Sequence, residues 1–143
     1  MGYNGAMPRP PVPPALADFL EHPNPAVIAT ADRDGSPHTA ATWYLWNDGR
    51  ALVNMDATRK RLQYLRDDPR VSLTVVGRDD WYDQVTLRGR AVGIEDDEDL
   101  AGIDRLARHY TGSPYARRDQ RRVNAWIQVE WWYGWTGGQP WRG

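Results

Sequence analysis

A chain of 143 residues with a formal net charge of −1 is long enough to bury the core of one domain, and its balanced charge argues against a protein that coats nucleic acid. No apolar run approaches the roughly 20 residues that cross a bilayer, and no charged start followed by an apolar stretch indicates a secretory signal, so we expect a cytoplasmic protein without a membrane partner. The chain contains no cysteine, which excludes disulfides, thiol catalysis and thiolate metal sites.

The first part of the chain predicts a flexible tail, a short helix and a meander of three strands. Residues 1–13 are rich in proline and contain little to bury, which is typical of a mobile or polyproline-like tail. A short helix is expected over residues 14–22, with Pro23 just beyond its end. Tight-turn sequences then separate three strands, which are expected at residues 26–31, 38–46 and 50–56.

The second part of the chain predicts three further strands and two helices. A short helix over about residues 58–66 is stopped by Pro69. Apolar residues recur at helical spacing over 96–110, which predicts another helix. Strands are expected at 71–76, 81–94 and 123–133, and residues 136–143 form a tail rich in Gly and Trp. The pattern predicts a mainly β (α+β) fold over residues 14–135, in which six antiparallel strands form a closed or nearly closed barrel with short peripheral helices.

A basic triplet, Arg59-Lys60-Arg61, stands where the short central helix follows a strand, and it contains the only lysine of the chain. Cations beside the free N–H groups of a first helical turn are typical of phosphate binding. The helix dipole favours anions at that end, so three cations there require an anionic guest or must extend into water. A solvated basic face is the alternative interpretation.

Other kinds of reactive site find little support in the sequence. There is no Gly-x-Ser-x-Gly motif, no phosphate loop and no dinucleotide-binding glycine pattern. His22, His38 and His109 lack the spacing of metal ligands, so we predict no metal site. The acidic run 96–99 is typical of a solvated helix start. A phosphate grip beside aromatic and small residues therefore suits a phosphorylated planar redox cofactor.

Several segments together resemble a known family. The chain resembles the flavin/deazaflavin oxidoreductases over residues 26–30, 34–38, 43–44 and 58–72. The last of these segments ends in Asp67-Asp68-Pro69-Arg70-Val71-Ser72. These oxidoreductases belong to the superfamily with the pyridoxamine-phosphate-oxidase-like split β-barrel, also called the FMN-binding split barrel. Residues 88–91 and 104–110 continue the resemblance, which covers roughly residues 16–130. Within the superfamily the chain looks most like the branch that uses the deazaflavin coenzyme F420, common in actinobacteria.

The resemblance implies a homodimer with two cofactor sites at the subunit interface. It implies an oxidoreductase that passes hydride from reduced F420 to a planar conjugated small molecule, such as an enone, a quinone or a tetrapyrrole. The phosphate end would lie on Thr58, Arg59, Lys60 and Arg61, and the ring would lie near His38, Ala41, Thr42, Trp43, Asn54, Met55 and Asp56. Tyr44, Trp81 and Tyr82 would be pocket walls, with Tyr44 and Tyr82 as candidate proton donors.

Two alternatives stay open at this point. One is an FMN-dependent oxidoreductase of the pyridoxamine-phosphate-oxidase type. The other is a non-catalytic carrier of a flavin, a deazaflavin or haem, with His38 or His109 as a candidate iron ligand. The Trp-rich carboxyl end, residues 130–141, departs from the family pattern and is expected to form either a pocket lid or a dimer seam, with the seam preferred.

Overall fold

The structure is a computed structural model that describes residues 7–142 of the chain. Within them the molecule consists of one antiparallel sheet, three α-helices and a short 3₁₀ turn at Glu98–Leu100. In chain order the elements are α1 (Pro14–Leu20), β1 (Ala26–Ala31), β2 (Pro37–Thr42), β3 (Leu45–Asn47), β4 (Arg50–Asp56), α2 (Lys60–Asp67), β5 (Arg70–Val76), β6 (Gln84–Asp96), α3 (Ala101–Thr111), β7 (Arg122–Thr136) and β8 (Gln139–Pro140).

The sheet has the strand order β2-β1-β5-β6-β7-β4-β3, and β8 pairs with β7. Every pair is antiparallel. The two end strands, β2 and β3, follow each other in the chain, so the sheet curls round without closing and the barrel is split between them. The predicted antiparallel split-barrel class is confirmed.

The strand count differs from the prediction, because the described residues form eight strands instead of six. The strand expected over residues 38–46 is broken at Trp43 and Tyr44, and β8 adds a short strand near the carboxyl end. Tyr44 causes the break: its side chain is 0% exposed, and its hydroxyl donates to the Leu20 carbonyl at 2.8 Å. Its backbone N–H donates to the Tyr110 hydroxyl at 3.2 Å, so that group is used outside the sheet.

A β-bulge between β6 and β7 decides which tryptophan enters the core. Arg88 pairs with Trp131 while Gly89 pairs with Val129, so Glu130 is the extra residue on β7. Simple alternation predicts that Trp131 shares a face with Val129, but the bulge reverses the faces beyond Glu130. As a result Trp132 is buried, at 3% exposed, and Trp131 lies on the outer face.

The core lies inside the curled sheet and is closed by two short helices. Leu16 and Leu20 of α1 and Leu62 and Leu65 of α2 are buried against the strands. Each helix therefore buries one apolar side, as the sequence pattern predicts. Within residues 7–142, no helix has both the length and the apolar character needed to span a membrane.

The two predicted tails can be compared with the structure only in part, since residues 1–6 and 143 lie outside the described residues. Near the amino end, the Trp132 N–H donates to the Pro8 carbonyl at 3.1 Å, and Val12 packs against the core. Near the carboxyl end, the Trp141 indole donates to the Gln84 carbonyl at 2.9 Å and lies 5.2 Å from the Phe19 ring. These contacts tie both segments to the barrel, and the flexible tail stays a prediction for residues 1–6.

Candidate functional site

A cleft of about 660 Å³ lies between the β1–β2 hairpin, the end of β4 and helix α3. Most of the predicted cofactor-binding residues contribute to its lining. These are Ala41, Thr42 and Trp43 at the end of β2, Asn54, Met55 and Asp56 at the end of β4, and Arg59 and Arg61 at the entry to α2. The structure thus brings together three chain segments that the sequence proposed separately.

The remaining predicted residues lie beside the cleft. His38 and Lys60 line an adjoining groove of about 420 Å³, which we call the side groove, and Thr58 lines neither. Arg59 and Arg61 line both the cleft and the side groove, so they stand where the two meet. The basic triplet therefore serves two surfaces, with its arginines at the junction and its lysine on the side groove.

Asp56 holds the turn that connects β4 to α2. One carboxylate oxygen accepts hydrogen bonds from the Thr58 N–H at 2.8 Å and the Thr58 hydroxyl at 2.9 Å. The other accepts from the Gln120 amide at 2.5 Å. The hydrogen bonds from Thr58, and less strongly the nearby guanidiniums of Arg122 and Arg59, lower the pKa of Asp56. Helix α2 begins at Lys60, later than the predicted residue 58, because this turn occupies Thr58.

The cations at this end of the cleft lack acidic partners. Within residues 7–142, no carboxylate lies within 4.0 Å of the side-chain nitrogens of Arg59, Lys60 or Arg61. The Nε of Arg61 is buried and has no hydrogen-bond partner among the described residues. Burial, followed by the proximity of Arg59 and Arg122, lowers the pKa of Arg61. This corner is therefore electrostatically prepared for an anion.

The floor of the cleft is a buried polar network on the face shared by β4 and β7. The Arg122 Nε donates to the Asn54 Oδ1 at 2.6 Å, and the Asn54 amide donates to Asn124 at 2.7 Å and to Asp97 at 2.9 Å. The Asp97 carboxylate also accepts the N–H groups of Gly102 and Ile103, at the start of α3. The side chain of Asn54 is thus committed to hydrogen bonds within the protein.

Aromatic rings form one wall of the cleft. Trp43 stacks on Tyr110 with 5.3 Å between centroids and 13° between planes, and Tyr115 meets Trp43 edge-on at 6.2 Å. The Tyr110 hydroxyl donates to the Asn24 carbonyl at 2.6 Å, and burial raises the pKa of Tyr110 to about 12. Flat apolar surface of this kind suits a planar ring system.

The lining residues that were not singled out in the sequence include Tyr110, Tyr115, Arg122 and Arg78, of which Arg78 pairs with Asp79 at 3.6 Å. Tyr110 lies in a segment that carried the family resemblance, but its helical spacing indicated only packing. Tyr115 follows α3 in an irregular segment without periodicity, and Arg122 opens a strand whose apolar alternation drew attention to its other residues. Only the pairing of Asp56 with Arg122 across β4 and β7 brings that arginine to the site.

The two candidate proton donors do not line the cleft. The Tyr44 hydroxyl donates into the core, and burial raises the pKa of Tyr44 well above its usual range. Tyr44 is therefore a structural residue. Tyr82 and its neighbour Trp81 are 70% and 72% exposed in the turn between β5 and β6, away from the cleft of their own chain. A role for Tyr82 stays a hypothesis.

The predicted iron ligands have other contacts. The Nε2 of His38 lies 3.2 Å from Asp32 Oδ2, and its ring lies 4.7 Å from the Tyr64 ring in the side groove. The hydrogen bond with His38 is the main cause of the lowered pKa of Asp32. His109 packs edge-on against Tyr110. Among residues 7–142 there is no group of three or more His, Cys, Asp or Glu side chains placed to hold a metal ion.

Comparisons with known proteins give the same architecture. A family model described as pyridoxamine 5'-phosphate oxidase matches residues 12–136. No curated protein matches the chain significantly. An F420 reductase superposes with a TM-score of 0.78 at 23% identity, over 85% of this chain and 98% of the other.

Two further solved structures show how widely the fold is shared. A conserved hypothetical protein from Mycobacterium tuberculosis superposes with a TM-score of 0.70 at 25% identity, over 97% of this chain and 89% of the other. The haem storage protein HutZ from Vibrio cholerae superposes with a TM-score of 0.62 at 15% identity, over 86% of this chain and 94% of the other. Since the family match runs through the whole split barrel, the chain belongs to the pyridoxamine 5'-phosphate oxidase family.

Proposed function

We propose that this protein is a cytoplasmic, homodimeric oxidoreductase that binds reduced coenzyme F420 and passes hydride to a planar conjugated small molecule, such as an enone, a quinone or a tetrapyrrole. The observation that carries the proposal is the cleft itself. It joins an aromatic wall of Trp43, Tyr110 and Tyr115 to a corner with unpaired arginines. A ligand that satisfies both ends is planar at one end and anionic at the other.

The residues present fit such a cofactor. The buried and unpartnered Nε of Arg61 and the exposed guanidinium of Arg59 supply the charge-assisted donors that a phosphate needs. The small side chains of Ala40 and Ala41 leave room for a flat ring against β2. Within the described residues β2 pairs only with β1, so backbone groups on its free edge are available to the polar atoms of the ring.

When bound, reduced F420 would supply a hydride from its ring carbon C5, so the protein needs neither a nucleophile nor a metal of its own. The chain would then bind, orient and shield. Arg59 and Arg61 would fix the phosphate end, and Trp43 and Tyr110 would fix the ring plane. Solvent would supply the proton to the acceptor, because the Tyr110 hydroxyl is already donated to the Asn24 carbonyl.

The side groove favours F420 over FMN. FMN ends at its phosphate, whereas the F420 chain continues beyond it with carboxylate groups. The side groove continues from Arg59 and Arg61 past Lys60 and His38, and thus offers cationic and polar surface beyond the phosphate position. The similarity in fold to an F420 reductase agrees with this choice.

The outer face of the sheet supports the dimer. Arg88 lies 4.6 Å over the Trp131 ring, and Trp131 stacks on Tyr133 at 5.8 Å, while Val27 and Val92 are exposed. The groove on this face is lined by residues of β1, β5, β6 and β7, and no helix residue within 7–142 lines it. A second copy of the chain would bury it, and the Trp-rich segment would then contribute to the seam.

Titration and turnover test the proposal. Purified protein is titrated with F420 and with FMN by isothermal calorimetry, and oxidation of reduced F420 is then followed with a panel of enones, quinones and biliverdin. We expect tighter binding of F420 than of FMN and turnover with at least one acceptor. A yellow protein with tightly held FMN would establish the FMN alternative, and binding without turnover would establish a carrier.

A further inference from the structure

Arg122 is a buried cation with only neutral partners. It begins β7, is 9% exposed and lines the cleft. Its Nε donates to Asn54 Oδ1 at 2.6 Å and its Nη1 donates to Gln120 Oε1 at 3.3 Å. The guanidinium lies 4.9 Å from the centre of the Tyr115 ring. A charge removed from water among neutral groups is costly unless an opposite charge accompanies it.

The nearest acid along the sheet does not fill that role. Asp56 pairs with Arg122 across β4 and β7, so their side chains emerge next to each other on one face. The carboxylate of Asp56 instead accepts hydrogen bonds from Thr58 and Gln120. Within residues 7–142, no carboxylate oxygen lies within 4.0 Å of the Arg122 guanidinium. Within the described residues Arg122 therefore forms no direct ion pair, and Asp56 influences it only from a longer distance.

Two more cations meet Arg122 at this corner. Arg59 and Arg61 line the same cleft, and Arg61 has a buried Nε without a partner. The carboxylates nearby, Asp56 and Asp97, are already engaged by hydrogen bonds from the protein. Since like charges repel more strongly where water is excluded, this arrangement is best relieved by an anionic ligand.

We propose that Arg122 is an anion-binding residue of the cleft, which acts with Arg59 and Arg61 to hold an anionic group such as a phosphate. The three guanidiniums outnumber the two carboxylates nearby, Asp56 and Asp97, both of which already accept hydrogen bonds from the protein. FMN and F420 each carry a phosphate, so both would supply such a group. The identity of the ligand rests on the proposed function, whereas the charge of the group rests on the arginines alone.

The variant Arg122→Gln tests this role, because glutamine can still donate to Asn54 but carries no charge. Dissociation constants are measured for F420 and FMN, and for the phosphate-free forms of the two rings. We expect Arg122→Gln to weaken binding of the phosphorylated ligands about 10- to 100-fold and to leave the phosphate-free rings unchanged. Arg122→Lys keeps the positive charge but loses the two parallel donors of the guanidinium, so its affinity for the phosphorylated ligands should lie between those of the wild type and Arg122→Gln.

A matched control is Arg50→Gln. Arg50 also lies over an aromatic ring, that of Trp126 at 4.6 Å, but it is exposed and outside the cleft. It should bind every ligand as the wild type does. Equal losses for phosphorylated and phosphate-free rings in Arg122→Gln would show a merely structural role and overturn the proposal, as would unchanged binding of all ligands.

A second arm does not depend on the cofactor. Inorganic phosphate and pyrophosphate are added to the ligand-free protein and the Tm is measured. We expect both anions to raise the Tm of the wild type and of Arg50→Gln but not that of Arg122→Gln. Anion stabilisation that requires Arg122 would support the site even if neither F420 nor FMN binds. If Arg122→Gln does not fold, Arg61→Gln replaces it, because the Nε of Arg61 makes no hydrogen bond that the substitution would remove. Arg61→Gln must then lose the stabilisation by anions selectively. Stabilisation equal to that of the wild type would overturn the proposal.

Discussion

At the scale of single residues, side chains that are adjacent in sequence lie on different surfaces of the molecule. In the triplet, Arg59 and Arg61 reach the cleft while Lys60 reaches only the side groove. Trp43 lines the cleft, whereas the next residue, Tyr44, enters the core. A local sequence motif predicts which segment contributes to a site, but the surface on which each side chain lies depends on turns and bulges. These two contrasts can each be tested.

Lys60→Gln should separate the two cofactors. Lys60 lies beyond the arginines on the side groove, so its loss should weaken F420 by a few-fold to about tenfold and leave FMN unchanged. Calorimetric titration measures both affinities. Arg66→Gln, an exposed cation on the same helix, is the control and should change neither. An equal loss of FMN affinity in Lys60→Gln would place the lysine on the shared phosphate instead.

Tyr44→Phe should affect stability and leave turnover per folded molecule intact. The substitution removes the donor to the Leu20 carbonyl and leaves a buried acceptor unsatisfied, which costs about 1–3 kcal/mol. Urea unfolding measures the free energy of unfolding, and the exposed Tyr82→Phe should leave it unchanged. A variant of normal stability with impaired turnover would restore Tyr44 as a proton donor.

At the scale of elements, the sequence predicted what periodicity controls and missed what individual contacts control. Most helices and strands follow from apolar spacing, turn residues and Pro69, so they lie within a few residues of their predicted positions; α3 begins at Ala101, five residues later than predicted, because β6 extends to Asp96 and a 3₁₀ turn follows it. The break at Tyr44 depends on a hydrogen bond to Tyr110, a residue distant in sequence, and no local pattern records it. The bulge at Glu130 likewise depends on Gly89, where a side chain would collide with the Gln128 carbonyl.

The residues of the site likewise fall into those that local motifs predicted and those that only long-range contacts bring there. Arg59, Arg61 and the ends of β2 and β4 were predicted because local motifs and a family resemblance pointed to them. Arg122 and Tyr115 come from later in the chain: the pairing of β7 with β4 brings Arg122 to the cleft, and Tyr115 lies there against Trp43 and Arg122. Long-range pairing of this kind leaves no local signal, so the charge of the corner could not be counted from sequence alone.

Helix α3 depends on Asp97, which is 7% exposed, so the expectation of a solvated helix start over residues 96–99 is wrong for this residue. The Asp97 carboxylate accepts the N–H groups of Gly102 and Ile103 at 2.7 and 2.9 Å. Asp97→Ala should reduce the free energy of unfolding by about 1–2 kcal/mol, and it should weaken cofactor binding because α3 forms a wall of the cleft. Chemical unfolding and titration measure the two effects. Glu98→Ala is the exposed control. Normal protection of α3 amides from hydrogen exchange in Asp97→Ala would contradict this capping role.

At the scale of the whole molecule, a split in the sheet creates the site. The barrel stays open between β2 and β3, so the ends of β2 and β4 and helix α3 can enclose a cleft instead of more core. Because titratable tyrosines are buried in the fold, its free energy of unfolding should depend on pH. Tyr110 therefore contributes both to the cleft and to the stability of the molecule.

The protein should lose stability in alkali. Burial raises the pKa of Tyr110 to about 12 and that of Tyr44 further, whereas tyrosines in an unfolded chain ionise near pH 10 or so. The unfolded state therefore releases these protons first, so their contribution is complete below about pH 10 and is lost as the pH rises toward 12. Urea unfolding at several alkaline pH values measures this slope. The double variant of Tyr44→Phe with Tyr110→Phe should show a shallower slope, and an unchanged slope would rule out these two groups as its source.

The most direct measurement is a crystal structure of the protein with F420 bound. We expect the phosphate oxygens within hydrogen-bond distance, about 3 Å, of the guanidiniums of Arg59 and Arg61, with the ring against Trp43 and the tail directed past Lys60. A cofactor bound elsewhere, with these arginines extended into solvent, would contradict the assignment of the cleft.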